Sequence, residues 1–311
     1  MLEILKYNVK YKNQWDEFIN SARNGNFLFL RNYMDYHQDY FIDCSYLILE
    51  NDKVEAVLSG NRTNFCWCSH EGLTFGGLIT SNKITATKTV EIFKLLFNEL
   101  KRNGILKVVY KSIPLIYHRI PSQEDIFALF IHNAVKIGCN ISSVIFQENK
   151  LKFSELRRRG IKKSIKGNVQ VTESNDFPSF WEILESNLCH KFNAKPVHTL
   201  QEIQLLNNLF PEHIKLYTAA QNGIVIGGAV LYIMNNVVKV QYISADETGK
   251  RVGALDLLFD VLINQEYQHI PIFDFGISTE KMGKYLNENL IFQKEGFGGR
   301  GIVYEIYEVK L

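Results

Sequence analysis

An excess of charge of either sign is nearly absent. Across 311 residues, 35 Lys and Arg face 33 Asp and Glu, for a formal net charge of +2. A protein built mainly to hold nucleic acid needs a strongly basic surface to neutralise phosphates, and this balance argues against one. No uninterrupted apolar run approaches the length needed to cross a bilayer. The opening residues, Met1 to Asn8, lack the charged and apolar regions of a secretory leader, so a cytoplasmic protein is expected. Cysteine is scarce: Cys44, Cys66, Cys68, Cys139 and Cys189 are odd in number and irregularly spaced. They read as reduced, buried thiols rather than a disulfide framework. Cys66-Trp-Cys68-Ser-His70 has the look of metal ligands, but no second ligand pair lies nearby in the sequence. Core thiols on one strand face are expected there, and no metal.

What is present suffices for two globular domains, with 46% apolar residues and 22% well-mixed charge. In the second half, Ile214–Gln221, the turn Asn222-Gly223, Ile224–Met234, the turn Asn235-Asn236 and Val237–Ala245 read as three antiparallel strands. A helix follows Asp246-Glu-Thr-Gly249, with Ala254, Leu257, Leu258, Val261 and Leu262 on one face. A strand at Ile272–Gly276, a helix from about Thr279, and strands near Phe297 and at Ile302–Val309 complete the order. The first half repeats it. Tyr46–Glu50 and Val54–Ser59 form a hairpin, and an extended segment near Phe65–Gly77 follows. A helix at Thr85–Arg102, a strand at Leu106–Ser112, a helix at Gln123–Ile137 and a strand at Ser142–Gln147 come next. The reading is an α/β chain with mixed sheets and a duplicated unit: residues 1–150, a basic linker helix at 151–168, and residues 169–311. In the linker, Arg158, Lys162 and Lys166 fall on one helical face, and Gly160 interrupts at a cost of about 1 kcal/mol.

A strand ending at Ala245, followed by Gly249-Lys-Arg-Val-Gly253-Ala254 and a helix, offers backbone amides and cations to a pyrophosphate. This arrangement resembles the GNAT acyltransferase superfamily, whose loop carries Gln/Arg-x-x-Gly-x-Gly/Ala. Here Lys250 replaces the first residue and Leu255 the last. The resemblance implies a tandem GNAT-like fold and coenzyme A as acyl carrier. Its pantetheine would lie along Tyr242, Ile243, Ser244 and Ala245, and its phosphates near Lys250, Arg251, Val252, Gly253 and Ala254. Ile291-Phe-Gln-Lys294-Glu-Gly-Phe297 is similar to the superfamily's Leu-Tyr-x-Lys-x-Gly-Phe segment. The usual proton-donating Tyr is replaced by Phe292, which is expected to be a core aromatic.

The tandem arrangement, the basic segment and the Asp274-Phe-Gly…Lys294…Gly-Phe-Gly298 tail also resemble the Fem-type transferases. More specifically, the stretches Phe29–His37, Ser69–Gly77, Pro196–Ile203, Gln241–Ala245, Phe273–Glu280 and Leu286–Arg300 resemble amino-sugar N-acyltransferases of surface-polysaccharide pathways. Among those are the hydroxybutanoyltransferases that act on a dTDP-linked 3-amino-3,6-dideoxyhexose. That resemblance implies a cytoplasmic enzyme of O-antigen or capsule synthesis that needs no metal. Its partners would be acyl-CoA and a nucleotide-linked amino sugar. An attacking amine must lose a proton, to water or to a side chain of suitable pKa. His198, Asp274 and His70 are the catalytic candidates, with His37 and His190 as further histidines. Tyr33, His37, Thr74, Gly76, Gly77, Arg158, Arg159, Lys162, Gln241 and Lys294 are candidates for the nucleotide sugar, and Tyr36 and Tyr117 are further aromatics. The alternatives are an aminoacyl-tRNA-dependent Fem-type ligase and a non-catalytic, degenerate GNAT protein.

Overall fold

Left-handed turn residues set the hairpins of this chain. Asn51 and Asp52 adopt φ of 51° and 62°, and Asn222 and Gly223 adopt 52° and 78°. Two consecutive positive-φ residues match the twist of antiparallel strands, which is why Asn, Asp and Gly occupy them. The computed structural model describes residues 2–311, apart from the side chains of Lys191 and Phe192. The chain divides into two units. One comprises Met1–Ile141, Thr279–Leu286 and Val303–Leu311, and the other Ser142–Ser278 and Asn287–Ile302.

The first unit begins with β1 (Leu2–Lys6), α1 (Lys12–Ser21), α2 (Arg31–Met34), β2 (Ile42–Asp43), β3 (Tyr46–Glu50) and β4 (Lys53–Leu58). It continues with β5 (Asn61–Thr63), β6 (Cys66–Cys68), β7 (Leu78–Thr80), α3 (Ala86–Arg102), β8 (Lys107–Lys111) and α4 (Glu124–Ile131). β9 (Val135–Phe146) begins in this unit and ends in the other. β1, β3, β4 and β7 form one antiparallel sheet, while β6 pairs parallel with β8. Thr85 caps α3 by accepting from the Lys88 N–H, and the helix buries Ile92, Phe93, Leu96 and Leu100 against Trp67, Val108 and Tyr110.

The second unit holds α5 (Glu155–Lys166), β10 (Gln170–Ser174), α6 (Phe177–Phe192), α7 (Leu200–Leu209), β11 (Ile214–Gln221) and β12 (Ile224–Ile233). Then come β13 (Val237–Ala245), α8 (Glu247–Val252), α9 (Ala254–Val261) and β14 (Ile272–Ile277). After β15 (Thr279–Glu280) and β16 (Tyr285–Leu286) of the first unit, α10 (Glu288–Gly296) returns to the second. β17 (Arg300–Lys310) starts there and ends in the first. The strand order within the second unit is β10-β11-β12-β13-β14-β9, with only β13–β14 parallel. Its core is aromatic: Phe259, Phe273, Phe275 and Phe297 pack edge to face or stacked, with ring centroids 5.0–6.1 Å apart. Each unit therefore contains one parallel pair joined through a helix, within otherwise antiparallel strands.

Several elements differ from the sequence reading. α4 stops at Ile131 rather than Ile137, because Asn133 turns left-handed (φ 56°) and β9 begins two residues later. The helix expected from Thr279 is a β15–β16 hairpin in which Lys281 and Met282 adopt φ of 52° and 57°. The helix proper starts at Glu288, capped by Asn287. Phe297 ends that helix instead of forming a strand. The basic segment is no linker, because α5 belongs to the second unit and Ser164 Oγ bonds the Val252 carbonyl at 2.9 Å. The closing residues Val303–Leu311 belong to the first unit, where β17 pairs with β8. Cys139 and Cys189 are exposed rather than buried, since each lies on an outward face of its element. Cys66 and Cys68 share a face of β6 with their sulfurs 3.7 Å apart. Among the described residues, no helix is long and apolar enough to cross a membrane, and no group of three or more metal-ligating side chains occurs.

Candidate functional site

β13 pairs with β12 over Val238–Ala245, but with β14 only over Val237–Lys239 against Ile272–Asp274. Between Tyr242 and Val240 the β12 register shifts, and Gln241 is the extra residue of a bulge. A bulge bends and twists its strand, so β13 and β14 diverge beyond that point. The result is a cavity of about 430 Å³ along Ile243–Ala245, walled by Leu184, Asn187 and Leu188 of α6 and by Leu290 and Gln293 of α10. Asn187 donates to Ser244 Oγ (2.8 Å) and to the Ala245 carbonyl (2.9 Å), and its own Oδ1 accepts from Lys250 Nζ (3.0 Å). An apolar groove with a few placed polar groups is the usual form of a small-molecule site.

A second cavity, of about 160 Å³, shares Lys250, Leu255 and Gln293 with the first and adds Arg157, Gly249, Gly253 and Asp256. Arg157 and Lys250 bring two cations to it, although Arg157 pairs with Asp256 at 2.6 Å. Glycine is required here by packing. A Cβ on Gly253, whose φ is +80°, would meet the Gly160 carbonyl oxygen at 2.9 Å, and one on Gly249 would meet the Ile226 carbonyl oxygen at 2.1 Å. Gly160 in turn lies against Asp256, so α5 crosses α9 by close backbone approach. The expected phosphate loop is mostly helix. α8 starts at Glu247, and its cap Asp246 accepts from the Gly249 N–H at 2.6 Å. That amide is already used, so the cations rather than Gly249 would meet a diphosphate. Arg251 is exposed and Ala254 is buried.

Deeper in the same unit, polar groups are buried together. Asp274 has no exposed surface and accepts from Ser142 Oγ (2.5 Å) and the Gly276 N–H (2.8 Å). Lys294 Nζ donates to the Gly276 and Ile277 carbonyls at 2.7 and 2.8 Å. Burial pushes Lys294 down to about 7 and Lys239 down to about 8, the nearby Asp274 opposing both shifts. Lys239 Nζ donates to Gln241 Oε1 at 2.7 Å. Tyr242 Oη accepts from the His198 N–H at 3.1 Å, and His198 Nδ1 lies 2.5 Å from it. Burial raises the Tyr242 phenol to about 12, so it stays protonated. Phe292 is no core aromatic: it is 63% exposed, because α10 turns Lys294 inward and Phe292 outward.

The remaining candidates lie elsewhere. Tyr33, Tyr36, His37 and His70 cluster in the first unit, with His37 and His70 ring centroids 5.2 Å apart and Tyr36 over His37 at 4.3 Å. His70 is buried and pushed down to about 3, so it is too weak a base to take a proton from an ammonium near neutral pH. Gly76 packs against the Ser69 carbonyl, Gly77 (φ +104°) against the Tyr110 hydroxyl, and Thr74 is exposed. Tyr117 is buried, its hydroxyl 2.9 Å from that of Tyr304. Arg158 and Arg159 are exposed on α5 and pair with Glu155, Lys162 is exposed beside them, and His190 is exposed on α6. His198 and Asp274 thus lie in the second unit and His70 in the first. The sequence reading missed Asn187, Arg157 and Lys239. Only Lys239, a charge inside an apolar strand, carried a local signal.

No family model matches this sequence, and no curated protein matches it either. Solved structures do match in fold. FemX aligns over 99% of this chain and 97% of its own, at TM-score 0.70 and 9% identity. L-PGS from Bacillus licheniformis aligns over 95% and 90%, at TM-score 0.63 and 10% identity. A tandem GNAT protein from the clavulanic acid biosynthesis pathway aligns over 100% and 98%, at TM-score 0.51 and 7% identity. At such identities the likeness concerns architecture alone, and the architecture is that of two GNAT-like domains in tandem.

Proposed function

We propose that this protein is an N-acyltransferase that moves an acyl group from coenzyme A to the amine of a nucleotide-linked amino sugar. The acceptor class that the sequence resemblance favours is a dTDP-linked 3-amino-3,6-dideoxyhexose of surface-polysaccharide synthesis. One observation carries the reading: the divergence of β13 from β14 leaves the strand edge at Ile243–Ala245 open along a groove of about 430 Å³. A pantetheine arm has the length and amide pattern to lie against such an edge, and the adjoining cavity meets its diphosphate with Arg157 and Lys250. The amine attacks the thioester directly, and a backbone amide at the end of β13 holds the oxyanion. Lys294, with an amine near neutrality, is better matched than His70 to exchange the acceptor's proton. Asp274 supports the turn at Gly276 that Lys294 contacts. Nothing is required of Arg158, Arg159 and Lys162 beyond contact with the acceptor's diphosphate. The test is release of free thiol from several acyl-CoAs in the presence of dTDP-3-amino sugars. No release with any pair refutes the reading.

A second reading, an aminoacyl-tRNA-dependent Fem-type transferase, is favoured by the exposed cationic face of α5 and by the Asp246 cap that engages the Gly249 amide. It predicts activity that ribonuclease abolishes, whereas the first predicts none of that sensitivity.

A further inference from the structure

A single side-chain amide stands where the groove meets the smaller cavity, and its orientation is fixed at both ends. Asn187, on α6, lies 3.0 Å from Lys250 Nζ and 2.9 Å from the Ala245 carbonyl oxygen. An ammonium only donates and a carbonyl only accepts, so Oδ1 faces the lysine and Nδ2 faces β13. The second Nδ2 hydrogen goes to Ser244 Oγ at 2.8 Å, and that hydroxyl donates in turn toward the Ile183 carbonyl at 3.4 Å. The amide therefore ties α6, β13 and α8 together at the one lysine that borders both cavities.

This anchor differs in kind from the carboxylates nearby. Arg157 shares its charge with Asp256 at 2.6 Å, and Lys250 also meets Glu247, three residues back on α8, at 2.5 Å. The Glu247 side chain is 89% exposed, so water screens that pair, and it draws the lysine outward. Asn187 draws it inward with a neutral oxygen, which places the ammonium without cancelling its charge. Among the described residues these two partners engage two of the three ammonium hydrogens and leave one for an anion. We propose that Asn187 is a positioning residue: it holds Lys250 at the smaller cavity and so sets the affinity of that cavity for a diphosphate. That the diphosphate is coenzyme A's rests on the transferase reading; the placement of Lys250 by Asn187 does not.

The experiment is calorimetric titration of the full-length protein with inorganic pyrophosphate. It compares wild type with Asn187→Ala, Asn187→Leu, Lys250→Met and the double variant Asn187→Ala with Lys250→Met. Alanine empties the space of the amide and leucine fills it, so a shared outcome is not a packing effect, and failure of one to fold leaves the other. Each Asn187 variant should weaken pyrophosphate by about fivefold, close to the loss in Lys250→Met. The double variant should bind no more weakly than Lys250→Met alone, because Asn187 acts through the lysine. Wild-type affinity in the Asn187 variants, losses that multiply in the double variant, or no pyrophosphate binding by the wild type overturns the proposal. The expected pyrophosphate pattern with no thiol release from any acyl-CoA would remove the transferase reading and leave the role of Asn187 standing.

Discussion

Single residues in this protein are governed by burial more than by their type. Two lysines, Lys239 and Lys294, sit at about 8 and about 7 instead of an ordinary 10.5, because little water reaches them. Between pH 7 and 10.5 the unfolded chain retains protons that the folded chain has released, so stability rises with pH through that window. The gain is complete above 10.5 and is lost as pH falls toward 7. The urea midpoint is therefore expected to be higher at pH 9.5 than at pH 7, and Lys294→Met should flatten that slope. A reversed slope would contradict the burial. The cysteines follow the same logic of access. Cys139 and Cys189 are exposed and should react with a thiol reagent within minutes, while Cys44 and Cys68 stay protected until unfolding. These environments were not legible in the sequence. Lys239 belongs to an alternating strand whose polar face would ordinarily meet water.

At the scale of elements, turn chemistry was readable and helix ends were not. The Asn222-Gly223 hairpin stands where its residues placed it, and the helix expected from Thr85 begins at Ala86 with Thr85 as its cap, since each acts through its own neighbours. α8 was read as a loop because its glycine looked permissive, whereas Gly249 is there to let the helix lie on β12. Gly253 has a similar origin and yields a prediction. In a helix start, Gly to Ala is ordinarily favourable, but here Gly253→Ala combines φ of +80° with a backbone oxygen at 2.9 Å. It should cost about 1–3 kcal/mol, read as a lowered denaturation midpoint. Unchanged stability would mean that α5 and α9 do not approach as described. The groove can be probed in the same way. Leu188→Trp projects into the cavity beside Ser244 and Ala245, and it should weaken coenzyme A binding by about tenfold or more in calorimetry with little change in folding.

For the molecule as a whole, the chain path matters more than the element list. β9 and β17 are each divided between the two units, so neither unit is a continuous stretch of sequence. Within the first unit, Ile306–Lys310 pair with β8 and Val309 enters the core. A fragment of residues 1–150 lacks that strand, exposes the edge of β8, and should fail to give a dispersed NMR spectrum. A well-folded 1–150 fragment would refute the division of the chain. The duplicated α/β order was nonetheless anticipated from the repeated strands and helices, its GNAT likeness came from the resemblance carried by Lys250–Leu255 and Ile291–Phe297, and the solved structures share the architecture.

By itself the sequence determined what local forces decide: the hairpins, the capped helices, the apolar faces and the class of fold they assemble. Those depend on residues a few positions apart, whose preferences act whatever lies beyond them. Tertiary structure alone decided that β13 parts from β14, that α5 lies on α9, that Lys239 is buried against Gln241, and that His198 meets Tyr242. Each of these joins residues distant in the chain or removes water from charged groups. Burial of that kind is a property of the packed whole, with no local pattern to announce it.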